Sequence, residues 1–210
     1  MTTNKSIIIT LAALVLTALA PLTSYAAPGI TNTKHDFKAE LWNTGGQICI
    51  ACHTPHNAKT TQLIPLWNHT PTATASFAIY ASGTFNGTGS STTPSDVSKA
   101  CLSCHDGTVA VESFVGAAGI GTKTISGAAL IGTTLVDDHP VGFTYDAALV
   151  TADTINTVVG LKAPGLIGLP LFAGKMECAT CHDVHNAANI PKFLRSTNGG
   201  SALCLKCHIK

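Results

Sequence analysis

Cys49-Ile50-Ala51-Cys52-His53 is the first of four Cys-x-x-Cys-His segments, around which the rest of the chain is arranged. The other copies are Cys101-Leu102-Ser103-Cys104-His105, Cys178-Ala179-Thr180-Cys181-His182 and Cys204-Leu205-Lys206-Cys207-His208. All eight cysteines of the chain lie in these copies, which we call CXXCH segments one to four. Their unequal spacing is not that of a regular repeat protein.

A Cys-x-x-Cys-His segment is typical of c-type haem attachment, in which both thiols bond to the porphyrin and the adjacent histidine ligates the iron. We therefore expect four covalently bound haem c groups. The thioether bonds would be made by Cys49, Cys52, Cys101, Cys104, Cys178, Cys181, Cys204 and Cys207. The proximal iron ligands would be His53, His105, His182 and His208.

Two other uses of paired cysteines are zinc binding and disulfide formation in an exported protein. Neither use needs a histidine directly after the second cysteine. A histidine stands there in all four segments, although the chain has nine histidines in 210 residues. The pattern therefore favours haem over zinc or disulfides.

Residues 1–26 are typical of a secretory signal, with Lys5, an apolar run from Ile7 to Ala20 and a small-x-small site at Ser24-Tyr25-Ala26. Retention as a membrane anchor is the alternative. Cleavage near Ala26 would leave residues 27–210 as a single tetrahaem domain. We expect it in the periplasm or at the cell surface, where c-type haem is attached.

The chain is nearly neutral, with a formal charge of +1 and only 11% charged residues. Because it has no cluster of Lys and Arg to neutralise phosphates, we expect no nucleic-acid partner. Soluble proteins usually carry about 25% charged residues. The low value here suggests that much of the surface meets another protein.

The composition predicts a small multihaem c-type cytochrome made mostly of loops, with short helices at the CXXCH segments and few short strands. Residues 81–94 are loop-like, and residues 97–106 predict a short helix capped near Ser95 and ended by Gly107. The Gly-rich residues 109–136 predict loops with short strands. Since only 6% of residues are aromatic, the four haems would form the core, and the apo chain would be mostly unfolded.

Five histidines lie outside the CXXCH segments, and only one methionine follows the signal, Met176. With five such histidines for four irons, we expect two histidines on every iron. The reduction potentials should then be low, because methionine ligation is what raises them. The distal candidates are His35, His56, His69, His139 and His185. No iron needs an open position, so we expect an electron carrier with no catalytic residues.

His56 and His185 each follow a CXXCH histidine by three positions. If the segment continues into a helix, residues three apart lie on the same face. The second histidine then cannot reach the far side of the same iron. We therefore expect it to ligate a neighbouring haem and to hold two haems close together.

Several strings, in this order, resemble the doubled-CXXCH cytochromes c, and in particular the outer-surface tetrahaem filament cytochromes of the OmcE type from metal-reducing bacteria. They are Thr33-Lys34-His35, Cys49 to Asn57, Pro65-Leu66-Trp67-Asn68-His69, Ser103 to Thr108, Asp138 to Phe143, Cys181 to Asn186 and Phe193-Leu194-Arg195. The likeness covers nearly all of residues 27–210 and is weakest in the glycine-rich spacers. It implies a loop-rich fold around a continuous haem chain, and assembly into extracellular filaments that carry electrons to distant acceptors. By resemblance, His56 would ligate a haem of the neighbouring subunit.

The expected function is electron transfer through four closely packed bis-His haems, as the subunit of a homopolymeric filament. Its partners would be copies of itself, redox proteins and extracellular electron acceptors. One alternative is a monomeric periplasmic shuttle, and another is a multihaem oxyanion reductase. The sequence does not separate a filament from a monomer, or assign a distal histidine to each iron.

Overall fold

The computed structural model describes residues 29–59, 64–89, 93–115, 121–153 and 160–210. The predicted signal over residues 1–26 lies outside the described residues, so it stays a prediction. In the described ranges, no helix has the length and apolar character needed to cross a membrane.

Three α-helices are present in the described residues: α1 spans Asp96–His105, α2 spans Ala147–Asp153 and α3 spans Cys178–Cys181. Helix α1 carries CXXCH segment two. It begins after Ser95 and is followed by Gly107 in the left-handed region at a φ of 77°. The predicted helix at residues 97–106 is therefore confirmed within one residue at each end.

The remaining helices are single 3-10 turns, at Phe37–Ala39, Gly127–Ala129, Pro164–Leu166, Pro191–Phe193, Gly199–Ser201 and Cys204–Lys206. The last of these carries CXXCH segment four. Six strands of two residues each form three separate pairs. Strands β1 (Ala78–Ile79) and β2 (Thr134–Leu135) are parallel. Two pairs are antiparallel: β3 (Phe143–Thr144) with β5 (Lys175–Met176), and β4 (Gly160–Leu161) with β6 (His208–Ile209). The predicted loop-rich fold with short helices and few short strands is confirmed.

CXXCH segment one differs from the prediction, because it consists of turns rather than a helix. Thr54 precedes Pro55, and a residue before proline disfavours the helical region. The Thr54 amide instead donates to the Leu66 carbonyl at 2.9 Å. The Asn68 amide donates to the Cys52 carbonyl at 2.8 Å. These bonds hold the segment against the loop that follows it.

The apolar core of the described residues is small and divided in two. One cluster contains Phe143, Tyr145, Leu149, Ile167, Met176 and Cys207. The other contains Phe77, Leu102 and Leu135. Because Leu102 and Cys207 lie in CXXCH segments, both clusters pack directly against the segments that would bear haem.

Buried polar side chains connect the segments. Asn68 is 0% exposed, and its Nδ2 donates to the Ile50 carbonyl at 2.6 Å. Its Oδ1 accepts from the Val115 amide at 3.2 Å, which joins segment one to the loop after α1. Glu177 accepts from the Ser98 hydroxyl, and that hydroxyl also accepts from the Cys178 amide at 3.1 Å. These bonds hold α1 against α3.

Candidate haem-binding site

All eight cysteines are free thiols, so the disulfide alternative is not realised in this structure. Burial raises the pKa of Cys52 to about 11, of Cys104 to about 12 and of Cys181 to about 11. These side chains are therefore neutral thiols.

Three CXXCH histidines share one hydrogen-bonding arrangement. Nδ1 of His53 donates to the Pro65 carbonyl at 2.9 Å, and Nδ1 of His182 donates to the Lys192 carbonyl at 2.9 Å. In segment two, Nδ1 of His105 donates to the Ala129 carbonyl at 2.7 Å. A histidine that ligates a metal through one nitrogen usually donates its other N–H to a carbonyl or carboxylate. The arrangement leaves Nε2 available for iron in all three.

Sequence reasoning did not identify these carbonyl acceptors. A backbone carbonyl is present at every residue, so no residue type marks it. The acceptors lie downstream of each segment, Ala129 and Lys192 in 3-10 turns, and only the folded chain brings them to the imidazoles.

His35 is one of the predicted distal ligands, and it is partly buried beside segment two. Burial, followed by the nearby His105, lowers its pKa to about 4. Its Nδ1 is buried and has no hydrogen-bond partner. A neutral imidazole is the form that binds a metal, so the protonation state of His35 fits that role.

His69 is 2% exposed and has both ring nitrogens close to carbonyl groups. Nδ1 lies 2.8 Å from the Thr70 oxygen, and Nε2 lies 3.0 Å from the Ala110 oxygen. Burial lowers the pKa of His69, so the ring is neutral and has one N–H for two acceptors. One nitrogen lone pair therefore faces an oxygen. Nε2 also lies 3.4 Å from Cys104 Sγ, so the ring is packed against CXXCH segment two.

The other three distal candidates are exposed. Nδ1 of His139 donates to the Pro140 carbonyl at 3.0 Å, and Nδ1 of His185 lies 3.7 Å from the Asp183 carboxylate. The imidazole of His56 forms no hydrogen bond within the described part of the chain. Met176 is 3% exposed and packs in the first apolar cluster.

The structure brings three of the five distal candidates next to a CXXCH histidine. The ring centroids are 6.2 Å apart for His53 and His185, 6.0 Å for His35 and His105, and 6.5 Å for His139 and His208. Within the described residues, neither His56 nor His69 has such a partner, and no second imidazole faces His182.

The argument for His56 and His185 assumed that CXXCH segments one and three continue into helices, and this assumption is wrong. Helix α3 ends at Cys181, and His182 is extended at φ −108° and ψ 143°. Segment one has no helix at all. His185 nevertheless lies opposite His53 rather than opposite His182, three residues before it. The prediction that His185 serves a haem of another segment thus has a different geometric basis.

Asp106 and Glu177 lie beside CXXCH segments and serve as hydrogen-bond acceptors inside the protein. Asp106 accepts from the hydroxyls of Thr72, Thr74 and Thr108. The described residues contain no group of three His, Cys, Asp or Glu side chains suited to a single metal ion, which a zinc site would require.

The family model for the doubled CXXCH motif matches residues 170–210, the part of the chain that holds segments three and four. A search of curated proteins finds no match. The CXXCH motifs indicate covalently bound c-type haem, and the free thiols and the imidazoles anchored on carbonyls fit that group. The doubled motif therefore supports a multihaem c-type cytochrome that transfers electrons.

Proposed function

We propose that the protein is a tetrahaem electron carrier whose irons are each ligated by two histidines, and that it works as the subunit of an extracellular filament. The main observation is the Nδ1 donation from three CXXCH histidines to backbone carbonyls, because it prepares each Nε2 for iron. When bound, the haems supply irons that accept and release one electron at a time.

The residues of the chain hold and orient these groups. The paired thiols fix each porphyrin, and the anchored imidazoles set the direction of one axial bond. The α1–α3 contact through Ser98 and Glu177 keeps segments two and three adjacent. Asn68 likewise holds segment one against the loop after α1.

Self-association is supported by the exposed surface of the described residues. Leu41 is 97% exposed, Leu166 74% and Leu66 53%. Leu66 lies in the loop that accepts from His53, close to CXXCH segment one. These side chains would be removed from water if another protein covered them, and the low charge of the chain does not oppose such contact. A second copy of the chain is the partner that we propose.

His56 is the residue that we propose to ligate a haem of the neighbouring subunit. Its ring is exposed, forms no hydrogen bond within the described residues and lies in no imidazole pair. A His56→Ala variant should keep four haems by intact mass but form no filaments in negative-stain microscopy. Glu40→Ala, a change at a polar residue with a partly exposed side chain outside the CXXCH segments, is the control and should leave assembly unchanged.

The outcomes separate the parts of the proposal. A mature protein with fewer than four covalent haems would contradict the tetrahaem assignment. Intact filaments in the His56→Ala variant would contradict the role of His56. A wild-type protein that stays monomeric after purification from the cell surface would contradict filament assembly, and would leave the electron carrier as a soluble shuttle.

A further inference from the structure

The three imidazole pairs follow a rule that ordinary ring packing does not impose. Each pair joins one CXXCH histidine to one histidine outside these segments, and no residue occurs in two pairs. Rings that pack against each other commonly have centroids 4.5–7 Å apart, so distance alone is not diagnostic. The informative feature is that each pair contains one proximal candidate and one distal candidate.

The separations also suit an iron between the rings. A metal–imidazole nitrogen bond is about 2.0–2.1 Å, and two such bonds plus the ring radii give about 6.3 Å between centroids. The three observed separations, 6.0, 6.2 and 6.5 Å, lie within a few tenths of an ångström of that value.

Hydrogen bonds give a second and independent argument. In each pair, at least one ring donates its Nδ1–H to a backbone carbonyl: His53 to Pro65, His105 to Ala129 and His139 to Pro140. This bond fixes the tautomer and leaves Nε2 unprotonated for a metal. All three pairs therefore contain a ring prepared for ligation.

We infer that these pairs are the axial ligands of three irons. His53 and His185 would ligate the iron of segment one, His105 and His35 that of segment two, and His208 and His139 that of segment four. The inference rests on the proposed function, since it requires haem at these segments. The iron of His182 has no ligand from these three pairs. His56 and His69 belong to none of the pairs, and His69 Nε2 lies 3.4 Å from Cys104 Sγ of segment two.

The ring planes provide a test on the unmodified protein. The interplanar angle is 17° for His53 and His185, but 61° for His35 and His105 and 75° for His139 and His208. Nearly parallel axial imidazoles split the iron d orbitals strongly and give a rhombic low-spin electron paramagnetic resonance spectrum. Steeply inclined rings give a highly anisotropic one. The oxidised holoprotein should show both classes of signal, and a single class would overturn the pairing.

Substitutions test the pairs directly. His185→Met, His35→Met and His139→Met should each keep four haems by mass and convert one iron to His–Met ligation. That change is visible as a sulfur–iron charge-transfer band and as an upward shift of one haem potential. Leu166→Met is the control, because this exposed residue lies outside the three pairs and outside the CXXCH segments, and it should show neither change.

A combined variant identifies the iron. Cys49→Ala with Cys52→Ala should remove the haem of segment one by mass. In that background, His185→Met should give no Met-ligated iron, whereas His139→Met should still give one. A Met-ligated iron from His185→Met there would overturn the first pair. Loss of all haem in wild type would instead contradict the proposed function, and if the variants fail to fold, the resonance spectra of the wild type decide.

Discussion

Glu177 is 1% exposed and comes directly before CXXCH segment three. Its carboxylate accepts from the Ser98 hydroxyl and takes part in the capping box that begins α3, while Oε1 has no hydrogen-bond partner. Ser98 in turn accepts from the Cys178 amide. One carboxylate thus positions the first cysteine of segment three and the helix that carries segment two.

We expect Glu177→Ala to lower the free energy of unfolding of the holoprotein by about 1–3 kcal/mol, because the helix loses its cap and the Ser98 hydroxyl loses its acceptor. Denaturant unfolding followed by circular dichroism measures the change. Glu40→Ala is the control, since Glu40 pairs with Lys123 at an exposed site and such pairs contribute about 0–1 kcal/mol. Equal effects of both substitutions would contradict a specific role for Glu177.

At the level of single residues, the motifs predicted the functional candidates but not their surroundings. The cysteines and proximal histidines follow from a spacing that one macrocycle imposes, so they can be read from the sequence. The distal candidates could also be predicted, because they are the five histidines that lie outside the CXXCH segments. Their pairing could not, because His53 and His185 meet only through the fold. The buried Asn68 gave no signal, since its partners are backbone groups of distant loops.

Among the elements, α1 is the longest helix of the described residues and the one whose ends were predicted. Gly107 ends it with a left-handed φ of 77°, and a Cβ there would lie 2.7 Å from Cδ1 of Leu130. The chain can then turn back so that the Ile131 amide donates to the His105 carbonyl at 2.8 Å. In the same region, the Ala129 carbonyl accepts a hydrogen bond from Nδ1 of His105.

Gly107→Ala should therefore cost about 1–2 kcal/mol in stability, since an L residue is strained at this φ and its methyl group meets Leu130. Thermal unfolding of the holoprotein measures the cost, and the axial ligation of segment two should be the most sensitive spectroscopic feature. Gly83→Ala is the matched control, because nothing lies within 4 Å of its added Cβ. A stability unchanged by Gly107→Ala would contradict this account of the helix end.

Segment one shows the limit of element prediction. The spacing of a CXXCH motif fixes which side chains must meet, but it does not require a helix. Here Pro55 and the hydrogen bonds to Leu66 and Asn68 favour turns instead. The short strands were also unpredictable in register, because two-residue pairs such as β4 with β6 carry no periodicity that a sequence pattern could reveal.

For the whole molecule, the two apolar clusters of the described residues contain six and three buried residues. A chain of 210 residues normally needs a larger core to offset its conformational entropy. Bound porphyrins would add large apolar surfaces next to both clusters. Folding and haem attachment should therefore be coupled.

We accordingly expect the chain to be largely unfolded when it is produced without haem attachment, as in a cytoplasm that lacks the attachment machinery. Circular dichroism and the dispersion of amide proton resonances measure this. A variant with Cys204→Ala and Cys207→Ala, made with the machinery, should give three haems and an intermediate stability. A cooperative unfolding transition in the haem-free chain would contradict the coupling.

The pairing of His53 with His185 has a consequence for biogenesis. In the extracellular form that we propose, the chain leaves the cell from its N-terminal end, so segment one emerges before His185. The iron that we propose for segment one would then lack its second histidine until the rest of the chain has followed. A chain cut short before His185 should therefore keep that iron open to small ligands.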